Sequence, residues 1–267
     1  MLALARFEGA LPPADGSLRE RVVLVTGATG GLGRATSLAA AAAGATVVLL
    51  GRKVRALEAL YDESEKRGGP QPAVYPMDLA GATPRDFADL ADSIERECGR
   101  LDGIVHAAAH FDGLQPFDQQ KPDEWSRTQQ VNLTAPFQLT QAAMPLLRKS
   151  GDAAVVFVLD DPARMGKAFW GGYGVAKHAL AGLASIVHEE TESSTVRTHA
   201  LLPGPMRTVL RRAAYYGEDT MMHPEPDYAA QYVAWLLSRD AGEMRGRTLD
   251  LRTSLAGQGG EPRLPPP

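Results

Sequence analysis

The stretch VVLVTGATGGLG, residues 22–33, decides the fold. Its first four residues are apolar and three of them are β-branched, which is typical of a buried strand. The loop that follows runs from Gly27 to Gly33, holds four glycines and leads into an alanine-rich helical segment. Such glycines let the backbone approach a pyrophosphate, which also binds the free N–H groups and the positive dipole of the helix N-terminus. Ordinary strand-to-helix turns collect glycines too, but the strand before this loop and the helix after it favour dinucleotide binding.

Strands and helices alternate along the rest of the chain. Further strands are predicted at 46–50, 73–76, 103–106, 155–158, 196–202 and 248–251, and helices at 52–66, 86–98, 123–149, 173–192 and 227–238. This order predicts an α/β fold with one Rossmann-type, doubly wound parallel sheet of about seven strands. Helices should cover both faces, and ligands should bind beyond the carboxyl ends of the strands.

The domain organisation is simple, because no internal repeat or charge block divides the chain. Residues 21–252 are expected to form one nucleotide-binding domain. Residues 1–20, which contain the turn-rich LPPADGS, are predicted to be a surface arm. Residues 253–267, rich in glycine and proline, are predicted to be a disordered tail.

Composition restricts the partners and the compartment. Hydrophobic content of 44%, charged content of 22% and a net charge of −4 are ordinary for a globular protein and give no reason to expect nucleic acid or an anionic membrane. The single Cys98 excludes an intrachain disulfide and suits a reducing compartment. No apolar run approaches the ~18 residues of a membrane helix, and the apolar N-terminus is too short for a secretory signal. We expect a soluble, cytoplasmic protein without a metal site.

The end of the second strand indicates which dinucleotide binds. Gly51 lies 18 residues after Gly33, about where an acidic residue would hold the adenosine ribose, and Arg52 follows it. An acidic side chain would repel a 2′-phosphate, whereas a guanidinium binds one as a fork, so NADP is favoured over NAD. Alternatively, Arg52 only begins the next helix in solvent. Asp78, followed by Leu79, could accept a hydrogen bond from the adenine amino group or cap its own turn, and both readings stay open.

Tyr173 and Lys177 form a candidate proton-transfer pair. They are separated by four residues in a predicted helix, so their side chains lie on one face about 5–6 Å apart. An adjacent ammonium favours the phenolate and would lower the pKa of the tyrosine. Taken alone, the pair is more often a half-buried helix face with a surface lysine. Asn132 is a third candidate, because asparagine is unfavourable inside a helix.

Together these motifs resemble the short-chain dehydrogenase/reductase superfamily. The resemblance rests on TGATGGLG, Asn132, Tyr173-Gly-Val-Ala-Lys177 and Leu202-Pro203-Gly204, and extends over residues 22–251. The glycines fit both the TGxxxGxG of the shorter subclass and the TGxxGxxG of the longer one. The chain length and the short segment after Gly204 favour the shorter subclass, and the chain resembles its bacterial branch of YciK-like oxidoreductases.

The resemblance implies a role for each matching residue. Tyr173 would be the acid/base for a small-molecule carbonyl or alcohol, Lys177 would lower its pKa and bind the nicotinamide ribose, and Asn132 would hold a water in a proton relay. The helices at 123–149 and 173–192 would form a homodimer or homotetramer. The implied cofactor-binding residues are Gly27, Thr29, Gly30, Gly31, Leu32, Gly33, Arg52, Asp78, Leu79, Ala107, Ala108, Tyr173, Lys177, Pro203, Gly204 and Thr208.

The resemblance also implies a substrate lid at residues 206–226. Its apolar side chains could line a pocket and its basic ones could attract an anionic substrate, although packing and a solvated helix face are the favoured interpretations. The residues concerned are Tyr215, Tyr216, Met221 and Met222, and Arg207, Arg211 and Arg212.

Two positions depart from the family pattern. The active-site serine, 13 residues before the tyrosine, is Asp160 here. An ionised carboxylate only accepts hydrogen bonds, and it opposes negative charge on both Tyr173 and a developing alkoxide. Loss of one donor to an oxyanion costs roughly 10²–10³ in rate. The second departure is the family's Asn-Asn-Ala-Gly, which reads HAAA at 106–109, so a bracing amide is lost and the methyl of Ala109 narrows the pocket.

Three functions follow from these observations. The preferred one is an NADP-dependent carbonyl/alcohol oxidoreductase. The second is a cofactor-binding sensor or scaffold with impaired turnover, because Asp160 replaces the serine. The third is a non-redox lyase on the same fold.

Overall fold

One parallel sheet of eight strands organises the part of the chain that the computed structural model describes, residues 1–7, 11 and 16–252. The tail predicted at 253–267 lies outside these residues. The strands are β1 (Ala3–Ala5), β2 (Val22–Thr26), β3 (Thr46–Gly51), β4 (Ala73–Pro76), β5 (Gly103–His106), β6 (Ala153–Val158), β7 (Val196–Leu202) and β8 (Arg247–Asp250). Their order across the sheet is β1-β8-β7-β6-β5-β2-β3-β4, and every pairing is parallel.

Helices cover both faces of this sheet, as predicted. The α-helices of the described residues are α1 (Gly31–Ala42), α2 (Val54–Lys66), α3 (Pro84–Cys98), α4 (Pro122–Gln129), α5 (Ala135–Lys149), α6 (Pro162–Met165), α7 (Gly171–Thr191), α8 (Val209–Ala214) and α9 (Asp227–Leu237). Alternate strand residues point to opposite faces. Val23 and Val25 pack with α1, α2 and α9, whereas Val22 and Leu24 pack with α3, α5 and α7. None of the helices described is long and apolar enough to cross a membrane.

The strand count corrects the prediction of about seven. The additional strand is β1, which lies within the segment expected to be a surface arm and pairs with β8, so that β1 forms the edge of the sheet. Three residues show no usable alternation in the sequence. They become a strand because β8 otherwise presents unpaired backbone groups at the sheet edge.

The chain reverses its direction of travel across the sheet between β2 and β5. It proceeds from β2 to β3 and β4 on one side, and from β5 to β6, β7 and β8 on the other. Loops leaving β2 and β5 therefore diverge and open a crevice at the carboxyl ends of the strands, which is where doubly wound sheets bind ligands.

A buried ionic network ties together the opposite, amino-terminal ends of the strands. Asp152, just before β6, accepts from Arg21 at 2.8 Å and from Arg197 at 2.7 Å, and both guanidinium side chains are at most 7% exposed. These two bonds hold the pKa of Asp152 below its usual value against the effect of its partial burial. Asp102 is fully buried beside this network and accepts from Ser150 Oγ at 2.6 Å. Arg100 pairs with Asp102 at 2.8 Å, so both buried carboxylates have a cationic partner and the strand ends are held together without a buried unpaired acid.

Asp152→Ala should therefore lower the free energy of unfolding by roughly 3 kcal/mol, because two buried guanidinium groups lose their acceptor. Urea denaturation followed by circular dichroism measures this change. Asp89→Ala is the control, because Asp89 joins Arg85 in an exposed pair at 3.7 Å, and such pairs contribute at most about 1 kcal/mol. Equal effects of the two substitutions would contradict the prediction.

Candidate active site

A cavity of about 830 Å³ lies at the carboxyl ends of the strands. It is lined by the loops that follow β2, β3, β4, β5, β6 and β7. Gly33 and Asn132 are absent from the lining, and both lie buried beneath it. The sequence-predicted residues that line the cavity are Gly27, Thr29, Gly30, Gly31, Leu32, Arg52, Asp78, Leu79, Ala107, Ala108, Asp160, Tyr173, Lys177, Pro203, Gly204 and Thr208.

The glycine loop is shaped by two close backbone approaches. Gly27 has φ +63°, and a Cβ there would lie 2.7 Å from the Cα of Ala108. A Cβ on Gly33 would lie 2.1 Å from the carbonyl oxygen of Gly27. Side chains at either position would push the loop outward, so the bare backbone leaves a cradle at the N-terminus of α1 that fits a pyrophosphate.

Two cations without an acidic partner line the end of the cavity beyond β3. Arg52 and Lys53 are exposed and line the cavity, and their side chains form no hydrogen bond or ion pair within the described residues. Lys53 directly follows Arg52 but was not among the cofactor-binding residues predicted from the sequence. Gly51 is buried, and a Cβ there would lie 3.3 Å from Leu57. An acidic side chain at Gly51 would therefore be crowded as well as wrongly charged for a phosphate.

Asp78 caps its own turn, because its Oδ1 accepts from the backbone N–H of Ala80 at 3.1 Å. Its side chain lines the cavity and is exposed. The second carboxylate oxygen has no recorded partner among the described residues. Asp78 therefore caps its turn through Oδ1, and its Oδ2 can still accept a hydrogen bond from an adenine amino group.

Tyr173 and Asp160 form the central hydrogen bond of the site. The hydroxyl of Tyr173 donates to Oδ2 of Asp160 at 2.9 Å, and Oδ1 of the same carboxylate accepts from the N–H of Asp161 at 2.7 Å. Tyr173 is only 4% exposed, whereas Asp160 is partly exposed to the cavity. Both side chains line the cavity, and the carboxylate lies at the place expected for a hydroxyl donor.

This arrangement raises the pKa of Tyr173 well above its usual value. Burial is the largest cause, followed by the charge of Asp160 and by the hydrogen bond to it. The lowering of this pKa expected from Lys177 is therefore wrong for this geometry. The ammonium of Lys177 lies 5.6 Å from the centroid of the Tyr173 ring, whereas the carboxylate is within hydrogen-bonding distance of the hydroxyl.

Lys177 is buried on the same face of α7 as Tyr173, as the four-residue spacing predicts. Its Nζ donates to the carbonyl of Val158 at 2.8 Å rather than pairing with Asp160. Burial lowers the pKa of Lys177 to about 8, and the charge of Asp160 opposes this shift. The ammonium is therefore mostly protonated at neutral pH but close to its titration range.

Asn132 lies in a π turn, Gln130–Thr134, that separates α4 from α5. Its Oδ1 accepts from the N–H of His110 at 2.8 Å, and its Nδ2 donates to the carbonyl of the same residue, also at 2.8 Å. The predicted helix at 123–149 is thus interrupted at its unfavourable asparagine, and π turns are frequent at functional sites. The side chain anchors the loop after β5 beneath the cavity.

His106 occupies the place of the bracing amide expected from the family pattern. It is 2% exposed, its Nε2 lies 2.8 Å from the hydroxyl of Thr140, and its ring stacks on Phe157 at 4.9 Å. Burial, followed by the nearby charge of Lys177, lowers the pKa of His106 to about 3. A neutral imidazole therefore replaces the lost amide as the brace of this strand end. Ala109 lines the cavity, as expected from its position.

An aromatic wall, Phe111, Trp170, Tyr173 and Tyr215, surrounds the substrate end. Phe111 and Trp170 lie 5.2 Å and 5.8 Å from the Tyr173 ring, and Trp170 lies 6.1 Å from Tyr215. Phe111 and Trp170 were not predicted, because they lie in loops on either side of the site and have no periodic signal in the sequence. Within the described ranges, no group of three or more His, Cys, Asp or Glu side chains could hold a metal ion.

The segment at 206–226 borders the cavity through Met206, Thr208 and α8. Arg211 forms a two-bond pair with Glu218 at 2.5 Å and stacks on Tyr215 at 3.7 Å. Arg207 donates to Glu225 and to backbone carbonyls of its own loop. These arginines therefore stabilise the segment itself. Of the four apolar residues considered for the pocket, Tyr215 lines the cavity, whereas Tyr216, Met221 and Met222 are largely exposed outside it.

Comparison with known proteins identifies the class. A model of the short chain dehydrogenase family matches residues 21–219, so this chain belongs to the short-chain dehydrogenases, a family of oxidoreductases. The uncharacterized oxidoreductase YciK of Escherichia coli K12 is 34% identical over 89% of this chain and 94% of its own.

Solved structures agree with this family. A short chain dehydrogenase from Pseudomonas syringae has a TM-score of 0.87 and 36% identity over 92% of this chain and 99% of its own. One from Escherichia coli CFT073, complexed with NADPH, has a TM-score of 0.85 and 35% identity over 90% of this chain and 99% of its own.

Gly33→Ala should destabilise the protein by about 1–3 kcal/mol, because its Cβ would overlap the Gly27 carbonyl and force the loop to shift. NADPH affinity should fall in parallel, since the displaced loop no longer presents its N–H groups. Thermal unfolding and fluorescence titration measure the two effects. Gly81→Ala is the control, because a Cβ at that position meets no atom within 4 Å. Unchanged NADPH binding in Gly33→Ala would contradict the prediction.

Proposed function

We propose that this protein is an NADP(H)-dependent oxidoreductase that interconverts a carbonyl group and an alcohol. The observation that carries the proposal is the convergence of the glycine cradle, Tyr173 and Lys177 on one cavity. The cradle fits a pyrophosphate because Gly27 and Gly33 allow backbone approaches that no side chain would permit. The Tyr173 hydroxyl reaches the same cavity from α7 and can exchange a proton with a bound substrate.

The residues of this site would divide the work as follows. The nucleotide, when bound, supplies the hydride chemistry. Tyr173 gives or takes the proton of the substrate oxygen. Lys177, whose pKa of about 8 keeps it mostly charged at neutral pH, stabilises the phenolate that forms. Asn132 holds the loop after β5 in place through its two hydrogen bonds to the backbone of His110. The aromatic wall excludes water from the substrate end.

The preference for NADP over NAD rests on Arg52 and Lys53. Neither cation has a partner within the described residues, and both line the end of the cavity beyond β3. Two unpaired cations without an opposing acid suit a 2′-phosphate, because a guanidinium binds phosphate through paired N–H donors. The NADPH complex of the related Escherichia coli CFT073 structure supports this choice.

A second candidate function is a nucleotide-binding protein with little turnover. The hydrogen bond from Tyr173 to Asp160 favours this function, because the phenol proton is already donated to the carboxylate. Burial and the charge of Asp160 also raise the pKa of the tyrosine. Nucleotide binding would then persist in a sensor or scaffold, since the glycine cradle and Arg52 lie apart from this hydrogen bond.

We also propose a homodimer or homotetramer formed through α5 and α7. Val175 and Ile186 of α7 are 50% and 57% exposed, and Phe137 of α5 is 45% exposed. These apolar side chains lie on helices whose opposite faces pack on the sheet, so a second copy would cover them. Sedimentation velocity would report the assembly.

Arg52→Ala should weaken NADPH binding about tenfold or more and leave NADH binding unchanged, because only NADPH carries the phosphate that Arg52 would hold. Fluorescence titration of both nucleotides gives the affinities. Arg55→Ala is the matched control, since Arg55 is exposed on α2 and does not line the cavity. Tighter binding of NADH than of NADPH would show the cofactor preference to be wrong.

Asp160→Ser should raise the rate of carbonyl reduction by up to about 10²-fold, because a hydroxyl donor replaces a carboxylate that opposes the oxyanion. Tyr173→Phe should abolish turnover, whereas Tyr216→Phe, an exposed position outside the cavity, should have no effect. A screen of ketones and secondary alcohols at 340 nm measures the rates. If the parent turns over nothing and only Asp160→Ser is active, the natural protein is not a carbonyl reductase.

A further inference from the structure

We propose that the substrate end of the cavity takes a flat, cyclic imine or amine, with a protonated carbon–nitrogen bond as the reacting group. This inference goes beyond carbonyl chemistry and uses the same nucleotide site as the proposed function. Its basis is the Asp160 carboxylate, which faces the cavity beside Tyr173, together with the charges and the aromatic rings around it.

The carboxylate suits a positive reacting centre. Each oxygen of Asp160 accepts one recorded bond, from Tyr173 or from the backbone of Asp161. A carboxylate can accept about four, so lone pairs remain for a ligand on the partly exposed side. Reduction of a carbonyl builds negative charge on oxygen next to this group, which is unfavourable. Reduction of an iminium ion begins from a cation, which the carboxylate stabilises. The negative charge of Asp160 also raises the pKa of a bound imine, so that the imine stays protonated.

The arginines at the substrate end already have acidic partners. Arg211 is paired with Glu218 at 2.5 Å, and Arg252 with Asp250 at 2.7 Å and Asp161 at 2.6 Å. Arg164 lies 3.8 Å from Asp161 and donates to the Tyr215 hydroxyl at 2.9 Å.

Lys177 contributes a further cation, but its ammonium bonds the Val158 carbonyl. None of the three arginines that line this end is therefore available to an anionic substrate, whereas Asp160 is available to a cationic one.

The aromatic wall selects the shape of such a substrate. Phe111, Trp170 and Tyr215 all line the cavity around Tyr173. Aromatic rings offer a negative face that attracts a cation within about 6 Å, and they stack on planar ligands. A flat nitrogen ring would therefore be held by the wall while its N–H⁺ donates to Asp160.

The reaction balances without any further reagent. The imine nitrogen first gains a proton that reaches it from solvent through Asp160. A bound nicotinamide would supply the hydride that adds to the carbon of the C=N bond, and the π pair of that bond would become the lone pair of a neutral amine. NADPH is oxidised to NADP⁺ and the imine is reduced. The reverse sequence oxidises the amine, with Asp160 accepting the proton.

Binding of three bicyclic ligands that differ mainly in charge tests the inference without the cofactor. The probes are 1,2,3,4-tetrahydroisoquinoline as cation, 1,2,3,4-tetrahydro-2-naphthol as neutral alcohol and 1,2,3,4-tetrahydro-2-naphthoate as anion, each titrated by calorimetry. The cation should bind at least tenfold more tightly than the alcohol, and the anion most weakly. Asp160→Asn should remove the preference for the cation, while Asp118→Asn, an exposed acid outside the cavity, should preserve it. Equal affinities in the parent, or a preference that survives in Asp160→Asn, would overturn the inference.

Turnover provides the second arm. With NADPH, 3,4-dihydroisoquinoline should be reduced with at least tenfold higher kcat/KM than 2-tetralone, and Asp160→Ser should reverse this order. Faster reduction of the ketone by the parent overturns the inference and leaves the proposed function standing. If NADPH does not bind, the proposed function fails, and the ligand titrations alone decide the inference.

Discussion

The parallel pairing of β2 with β5 is the constraint on which the rest of the structure depends. Because the chain leaves these neighbouring strands in opposite directions across the sheet, their loops must diverge, and the crevice between them becomes the cavity. The same pairing brings Gly27 against Ala108, so the glycine loop has no room for a side chain. At the other end of the strands, the buried bonds of Asp152 to Arg21 and Arg197 hold the register. The amino-terminal ends of the strands therefore provide rigidity, and the carboxyl ends bind ligand.

Asp160 sets the electrostatics of the site. A carboxylate half-buried beside a buried phenol must find a donor, and the hydroxyl of Tyr173 provides one. Burial, together with the charge of Asp160 and this bond, raises the pKa of the tyrosine, in the direction opposite to the one that carbonyl reduction requires. At the same time the bond leaves a negative charge facing the substrate end of the cavity, where Arg164, Arg211 and Arg252 already have acidic partners. The Asp160 carboxylate opposes a reaction that builds negative charge on the reacting atom, and it stabilises a reacting atom that carries positive charge. It is therefore suited to a cation.

Much of the site could be predicted because its determinants are local. The four-residue separation of Tyr173 and Lys177 places both on one face of any helix, and a glycine loop between a strand and a helix has few other uses. The resemblance to the family then places Asp160 at the position of the active-site serine. Phe111 and Trp170 could not be predicted in the same way, because each lies in an irregular segment whose path depends on packing against α7. The edge strand β1 escaped prediction because three residues carry too little pattern.

The sequence by itself determined the parallel α/β sheet and the glycine loop between β2 and α1, because periodicity and spacing are properties of neighbours along the chain. The motifs of the sequence, through their resemblance to the family, also indicated the family and the carboxylate at the position where its members have a hydroxyl. The tertiary structure alone decided that Asp160 accepts a hydrogen bond from Tyr173 and does not pair with Lys177. It also decided that His106 braces β5 through Thr140 and that Arg211 forms an ion pair with Glu218. The physical reason is that hydrogen bonds and charge pairs depend on separations of about 3 Å between residues that can be far apart in the chain.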